Sequence, residues 1–262
     1  MTGKGKLRLK TEIDDRSGFC FGVIRAIEKA EELLDQGEVV YCVGQIVHNE
    51  EEVNRLKKKG LITINQEDLH RYKDKNVLFR AHGEPPESYS KAREHDNRIV
   101  DASCPIVLKL QKDIKKAYDN GENIFIFGKY NHPEVVGLNG QTGNQAVVFQ
   151  TLEELKEKDI PEKLTLFSQT TMSLDEFYKI VDYLKSRGKE VKVRDSICRQ
   201  VSNRRQELER FCQTHDKIVF VAGKHSSNGK MLYNICKQQN PYTHFISSAS
   251  EVSSDWFNEE ET

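Results

Sequence analysis

The chain alternates short β-rich runs with amphipathic helical stretches and then repeats the series, and that repeat constrains its fold more than any other feature. "VLFRA", "NIFIFG", "LTLFSQ", "VKVRDS" and "KIVFVAG" are strand-like. "VIRAIEKAEELLDQG", "IVLKLQKDIKKAYDNG", "SLDEFYKIVDYLKSRG" and "NRRQELERFCQTHD" have helical spacing, three of them closed by a glycine. Strands alternating with helices predict an α/β protein with parallel sheets and crossover helices. A shift of 84 residues carries Cys20 onto Cys104, and takes Gly44, His48 and Glu50 of "GQIVHNE" onto Gly128, His132 and Glu134 of "GKYNHPE". A third copy follows: "VRDSIC", ending in Cys198, repeats "IVDASC" 94 residues on, and "VFVAGKHSSN" repeats "IFIFGKYNHPE" with Gly223 under Gly128. In that copy Ser226, Ser227 and Asn228 stand where the others have His-x-Glu.

Each unit also has a late strand. "LFRAHGE" and "LFSQTTM" align at a shift of 88, which places His82 over Thr170. "FISSASEV" matches "VFQTLEEL" at a shift of 97, so the third late strand is expected near residue 264, past Thr262. The expectation is three pseudo-equivalent α/β units with small parallel sheets, spanning 1–100, 101–194 and 195–262. The third is expected to be truncated at its C-terminus by a strand, its loop and a helix.

Charge excludes some partners. Lys plus Arg (40) nearly cancel Asp plus Glu (41), so no global field favours nucleic acid or an acidic membrane surface. The N-terminal stretch has no apolar core of a signal peptide, and nowhere do roughly eighteen apolar residues run together. A soluble, cytoplasmic protein is expected. There, six cysteines are core thiols, metal ligands or nucleophiles rather than a disulfide framework.

Strand-to-helix loops of parallel sheets collect at the carboxyl ends of the strands, where ligands bind. If three units pack about a pseudo-threefold axis, Cys20, Cys104 and Cys198 can meet at one point. Three thiolates suit zinc or an iron–sulfur cluster, and three rather than four would leave one metal position open for a substrate. Cys42, Cys212 and Cys236 have no partner in phase and read as structural. His48, His82, His132, Thr170, Ser226, Ser227 and Asn228 are neutral hydrogen-bonding groups at strand ends, several just ahead of helices, and such a ring suits a phosphate or diphosphate. Taken singly, a His before a helix is as well explained as a cap or surface residue. His70, His95, His215 and His244 lack a repeat partner and get that plainer reading; His225 is open between the two. Glu134, two residues after His132, is the candidate proton donor, with Glu50 its counterpart by symmetry and an ordinary helix-start glutamate the alternative for both.

"SGFCFGV", "VGQIVHNE", "RAHGEPP", "VDASCP", "GKYNHPEVVG", "SQTTMS", "DSICRQVSNRRQ" and "HSSNG" resemble, in this order, the blocks of the 4-hydroxy-3-methylbut-2-enyl diphosphate reductase family. The resemblance implies a trefoil of three α/β units around a central [4Fe–4S] cluster held by Cys20, Cys104 and Cys198. It further implies diphosphate binding by His48, His82, His132, Ser226 and Asn228, with Ser227 beside them. Glu134 would give the proton and Thr170 would orient the substrate alcohol and relay protons. The implied reaction reduces an allylic hydroxyl away, giving isopentenyl or dimethylallyl diphosphate as the last step of the non-mevalonate isoprenoid route. Electrons would come from a partner such as ferredoxin or flavodoxin, since no Gly-rich dinucleotide fingerprint is present. Family members continue into a serine-bearing loop and a closing helix that this sequence lacks, which makes a fragment with doubtful activity the expectation. The rival readings are a zinc hydrolase using the same thiolates with Glu134 as base, and a non-catalytic iron–sulfur sensor.

Overall fold

A computed structural model describes residues 9–258. The first series of elements is α1 (Phe21–Leu34), β1 (Val40–Val43), α2 (Glu50–Lys58), β2 (Leu61–Ile64), β3 (Asn76–Phe79), α3 (Pro86–Glu94) and β4 (Arg98–Asp101). The second is α4 (Pro105–Asp119), β5 (Ile124–Phe127), α5 (Pro133–Gly140), β6 (Val147–Phe149), α6 (Leu152–Lys156), β7 (Lys163–Ser168), α7 (Leu174–Ser186) and β8 (Glu190–Val193). The chain continues through α8 (Arg199–Ser202), α9 (Arg204–Gln213), β9 (Ile218–Val221), α10 (Ser227–Gln239) and β10 (Thr243–Ile246).

Every ladder is parallel. The first sheet has the order β2-β1-β3-β4 and the second β6-β5-β7-β8, the same order with each index raised by four. The repeat in the sequence is therefore a repeat of topology. β9 and β10 form a two-stranded sheet among the described residues.

The chain forms two compact units. One, made of Cys20–Val47 and Val53–Ser202, holds both four-stranded sheets; the other joins the segment before Cys20 with His48–Glu52 and the chain from Asn203 onward, and holds the two-stranded sheet.

Burial follows the periodicities. In α1 the buried Ala26, Ile27, Ala30, Leu33 and Leu34 form one stripe, while Glu28, Glu31, Glu32 and their neighbours fill the other face. Each fully buried Leu or Ile of such a stripe contributes roughly 1.5–3 kcal/mol relative to exposure. β5, Ile-Phe-Ile-Phe, is buried at all four positions, as a strand covered on both faces must be. Its two faces feed different clusters: Phe125 and Phe127 pack with Phe149, Leu166 and Phe177, and Ile124 and Ile126 with Ile114, Leu138 and Phe167.

The strand order creates the crevices. From β1 the chain crosses to β2 on one side, and β3 then lies on the other, so the loops leaving β1 and β3 part at their carboxyl ends; β5 and β7 repeat this arrangement. Among the described residues, no helix is long and apolar enough to cross a membrane.

Candidate active site

The crevice between β5 and β7 brings Glu134 and Thr170 together. His132 caps the N-terminus of α5, and Glu134 follows in the first turn. Glu134 is only 2 % exposed. The Thr170 backbone N–H donates to Oε1 at 2.6 Å, and the Thr170 hydroxyl lies 2.8 Å from Oε2. Burial pushes the Glu134 carboxyl up to about 7, although both bonds from Thr170 pull it down. A backbone N–H can only donate, so Oε1 is obliged to accept. In the neutral acid the proton therefore sits on Oε2 and faces the Thr170 hydroxyl.

His132 is oriented by the same turn. Its Nδ1 accepts from the Glu134 backbone N–H at 3.2 Å, so the neutral ring carries its proton on Nε2. The His82 and His132 rings meet edge to face with centroids 5.4 Å apart. His82 lies in the loop leaving β3, so these two predicted residues come together from the two four-stranded sheets.

The three in-phase cysteines lie in the same compact unit as these groups. Cys20 and Cys104 are the N-cap residues of α1 and α4, and Cys198 immediately precedes α8. The Cys104 N–H donates to Ala81 at 3.0 Å and the Cys198 N–H to Thr170 at 2.9 Å, so each extends the edge of its sheet. Burial pushes the Cys104 thiol up, the Ile106 and Val107 backbones oppose this, and the charges of Cys20 and Cys198 push it further up. Cys104 thus feels the charge of each of the other two cysteines, an interaction that a shared cationic centre would relieve. Cys20 is exposed and the other two are half-buried, which leaves the sulfurs accessible. This donor set fits an iron–sulfur cluster with three protein ligands.

Gly22 belongs to that fit. A Cβ there would lie 2.8 Å from the Cys104 sulfur, closer than real contacts allow. Gly22→Ala should therefore lower the iron and sulfide retained per chain after anaerobic reconstitution. The helix itself should gain up to about 1 kcal/mol in propensity, so far-UV circular dichroism of the variant should be unchanged.

Cys42, Cys212, Cys236 and four of the histidines are otherwise occupied. Cys42 is fully buried in the first sheet, where burial pushes its thiol up to about 12. Cys212 and Cys236 lie in the apolar core between α9 and α10, with Leu208, Leu232 and Ile235. His70 and His95 bond nearby backbone carbonyls, His215 stacks on Phe211, and His244 stacks on Trp256. His225 is exposed.

His48, Ser226, Ser227 and Asn228 belong to the other compact unit. The backbone of His48 packs so closely on Gly223 that any Cβ there would collide with the His48 carbonyl. Ser226 caps α10, its Oγ accepting from the Gly229 N–H at 3.0 Å, which leaves the hydroxyl proton to donate elsewhere. Asn228 Oδ1 is buried with no hydrogen-bond partner among the described residues. Half a turn of the amide exchanges that oxygen for a donating NH₂ and suits the position to an anion.

The chain matches the family described as LytB protein over residues 12–262. It belongs to the LytB family. It is 51 % identical over 251 residues to the 4-hydroxy-3-methylbut-2-enyl diphosphate reductase of Bacteroides fragilis, covering 93 % of this chain and 87 % of that protein. To the protein of the same name from Porphyromonas gingivalis it is 46 % identical over 252 residues, with coverage of 93 % and 87 %. Its fold is similar to a solved structure of (E)-4-hydroxy-3-methyl-but-2-enyl diphosphate reductase, the terminal enzyme of the non-mevalonate pathway, with a TM-score of 0.72, 34 % identity and coverage of 95 % and 90 %. It is also similar to the reductase structure from Plasmodium falciparum, with a TM-score of 0.83, 29 % identity and coverage of 92 % and 77 %.

The LytB chain contains crevice residues that its sequence pattern did not single out. Gln169, fully buried beside Thr170, accepts from the Lys129 N–H at 3.0 Å and donates to Thr171 at 2.9 Å. Arg80 and Glu84 flank His82, and burial pushes the Glu84 carboxyl up to about 7 against the pull of Arg80 and Ser88. The signal in each case was a polar or charged residue in a stretch that the strand pattern places at the end of a buried β-strand. The LytB blocks "SQTTMS" and "RAHGEPP" contain these residues, but the repeat shift gave them no equivalent of the same type.

Proposed function

We infer that this chain carries out the reductive dehydroxylation of 4-hydroxy-3-methylbut-2-enyl diphosphate, the last step of non-mevalonate isoprenoid synthesis. Two electrons and two protons enter, the allylic carbon–oxygen bond breaks, one proton leaves with the hydroxyl as water, and the other adds to carbon. The products are isopentenyl and dimethylallyl diphosphate. The observation that carries the reading is the buried Glu134 carboxyl, held against Thr170 and pushed up to about 7. That group can hold a proton at neutral pH and release it.

Cys20, Cys104 and Cys198 would hold the [4Fe–4S] cluster. When bound, such a cluster supplies electrons singly and an iron position open to the substrate oxygen. The protein does the rest. Glu134 presents the Oε2 proton to the Thr170 hydroxyl, which passes it on to the substrate hydroxyl while fixing that group's direction. His132, protonated on Nε2, donates to the diphosphate, and His82 beside it adds a second imidazole. His48, Ser226, Ser227 and Asn228 are assigned to the same anion by their place in the repeat and the donors they offer. Neutral donors suit this role, because they bind the anion without pairing it to a fixed charge from which product must be pulled away. A ferredoxin or flavodoxin would deliver the electrons in the cytoplasm.

Anaerobically prepared protein should be brown, contain acid-labile sulfide, and consume the hydroxylated diphosphate with reduced viologen as electron source. A colourless protein with one zinc per chain would overturn the assignment, as would a full complement of iron and sulfide with no substrate consumption.

A further inference from the structure

Two charged side chains sit in the first crevice, where the repeat would have neutral ones. Arg80 and Glu84 are 12 % and 4 % exposed, and Arg80 Nε lies 4.0 Å from Glu84 Oε1. Glu84 Oε2 accepts from the Ser88 hydroxyl at 3.2 Å, and Ser88 in turn accepts from Gln66 at 2.8 Å. The Glu84 backbone carbonyl accepts from Gln111, on α4, at 3.2 Å. Glu84 is thus fixed from three elements.

Arg80 is fixed at one end by Glu84 and reaches the opposite wall with the other. Its Nη1 donates to the Gln45 carbonyl at 3.0 Å, across the gap between the ends of β3 and β1. The guanidinium lies flat against Gly44, whose φ is +71° and where any Cβ would run into it. The second crevice has an equivalent. Lys129, at a shift of 84 from Gln45, donates its N–H to the Gln169 side chain at 3.0 Å, again joining the loop after the first strand of the repeat to the end of its third. Each switch point is therefore tied across by one side chain, amide in the second sheet and ionic in the first.

Stability does not explain the ionic version. A buried ion pair is often no better for folding than apolar residues of similar volume, and Arg80 Nε is buried without a hydrogen-bond partner among the described residues. We propose that Arg80, braced by Glu84, is a positioning residue that clips the Gly44–Val47 loop to the His82 loop and so holds His82 in place for the diphosphate. Arg80 stands two residues before His82. A fixed fork of donors holds a carbonyl in one place where a flexible ammonium would not. This rests on the reading of the chain as a diphosphate reductase.

The test uses the cluster-loaded protein. In Arg80→Met, KM for the hydroxylated diphosphate should rise about tenfold with kcat changed by less than about threefold, the split expected when binding geometry is loosened and the chemistry is kept. Amide hydrogen exchange in peptides covering residues 44–47 should quicken by about tenfold with the rest of the chain unchanged. Arg80→Lys, which keeps a charge and a donor for Gln45 but loses the fixed fork, should leave KM between those of Arg80→Met and the parent. Glu84→Gln, which keeps the Ser88 bond and removes the charge, should show the same KM split at smaller size and serves if Arg80→Met does not fold.

Exchange unchanged at 44–47, or raised evenly along the chain, would overturn the clip. Local exchange raised with KM unmoved would overturn its part in binding. If the parent protein itself consumes no substrate, the reductase reading fails, and the exchange measurement still decides whether Arg80 holds the loop.

Discussion

Glu134→Gln is expected to abolish most turnover while making the protein more stable above neutral pH. The amide fits the same contacts: its oxygen accepts from the Thr170 N–H as Oε1 does, and its NH₂ donates to the Thr170 hydroxyl as a protonated Oε2 would. It has no proton to give, so the rate should fall by roughly 10²–10⁴-fold, the usual worth of a positioned general acid. In the parent, turnover should fall as pH rises through about 7, where Glu134 loses its proton. The stability change has the opposite sign. The folded carboxyl titrates near 7 and the unfolded one near 4.5, so between those values the folded chain holds a proton that the unfolded chain has lost. Stability from this group is therefore greatest below pH 4.5, declines as pH rises through the window, and is fully lost above 7. Removing the buried charge should recover at most about 3 kcal/mol at pH 8 and little at pH 4.5. Thermal unfolding of parent and variant at the two pH values checks this. A variant that turns over normally would take Glu134 out of proton delivery while leaving the substrate assignment in place.

Cys104→Ser should remove the inorganic centre and with it all activity above background. Serine keeps the backbone contact to Ala81 and the cap position of α4, so the fold should persist. A hydroxyl is a far harder and less acidic donor than a thiol, and two remaining thiolates cannot hold a four-iron cluster firmly. Iron and acid-labile sulfide should fall below about one per chain after anaerobic reconstitution, against about four in the parent. Cys42→Ala is the matched control. That thiol is fully buried among Ala26, Val40 and Leu78, so its loss should leave iron content unchanged and cost about 1 kcal/mol in packing. Full cluster loading in Cys104→Ser, or loss of iron in Cys42→Ala, would reverse the ligand assignment.

Particular elements show what was legible in advance. The Phe-rich β5 and the stripe of α1 follow from residue spacing alone, because a strand covered on both faces must be apolar throughout and a surface helix only every third or fourth residue. The shift of 84 that pairs Cys20 with Cys104 also pairs β1 with β5 in register, Val40–Val43 onto Ile124–Phe127. Strand order, by contrast, is set by which helix covers which face, and nothing local records it. The contact of Glu134 with Thr170 depends on β7 lying beside β5, 36 residues away in the chain. Arg80 carries no local signal for the same reason, since its bond to Gln45 exists only because β3 pairs with β1.

Periodicity and motif spacing, written residue by residue, set the elements, their repetition and the chemical types placed at each strand end. Packing in three dimensions sets which strand ends face one another and how much water reaches them. Those two properties raise the Glu134 carboxyl, bring the charges of Cys20 and Cys198 to bear on Cys104 and stretch Arg80 across a crevice, because desolvation and charge interaction depend on distance in space rather than along the chain.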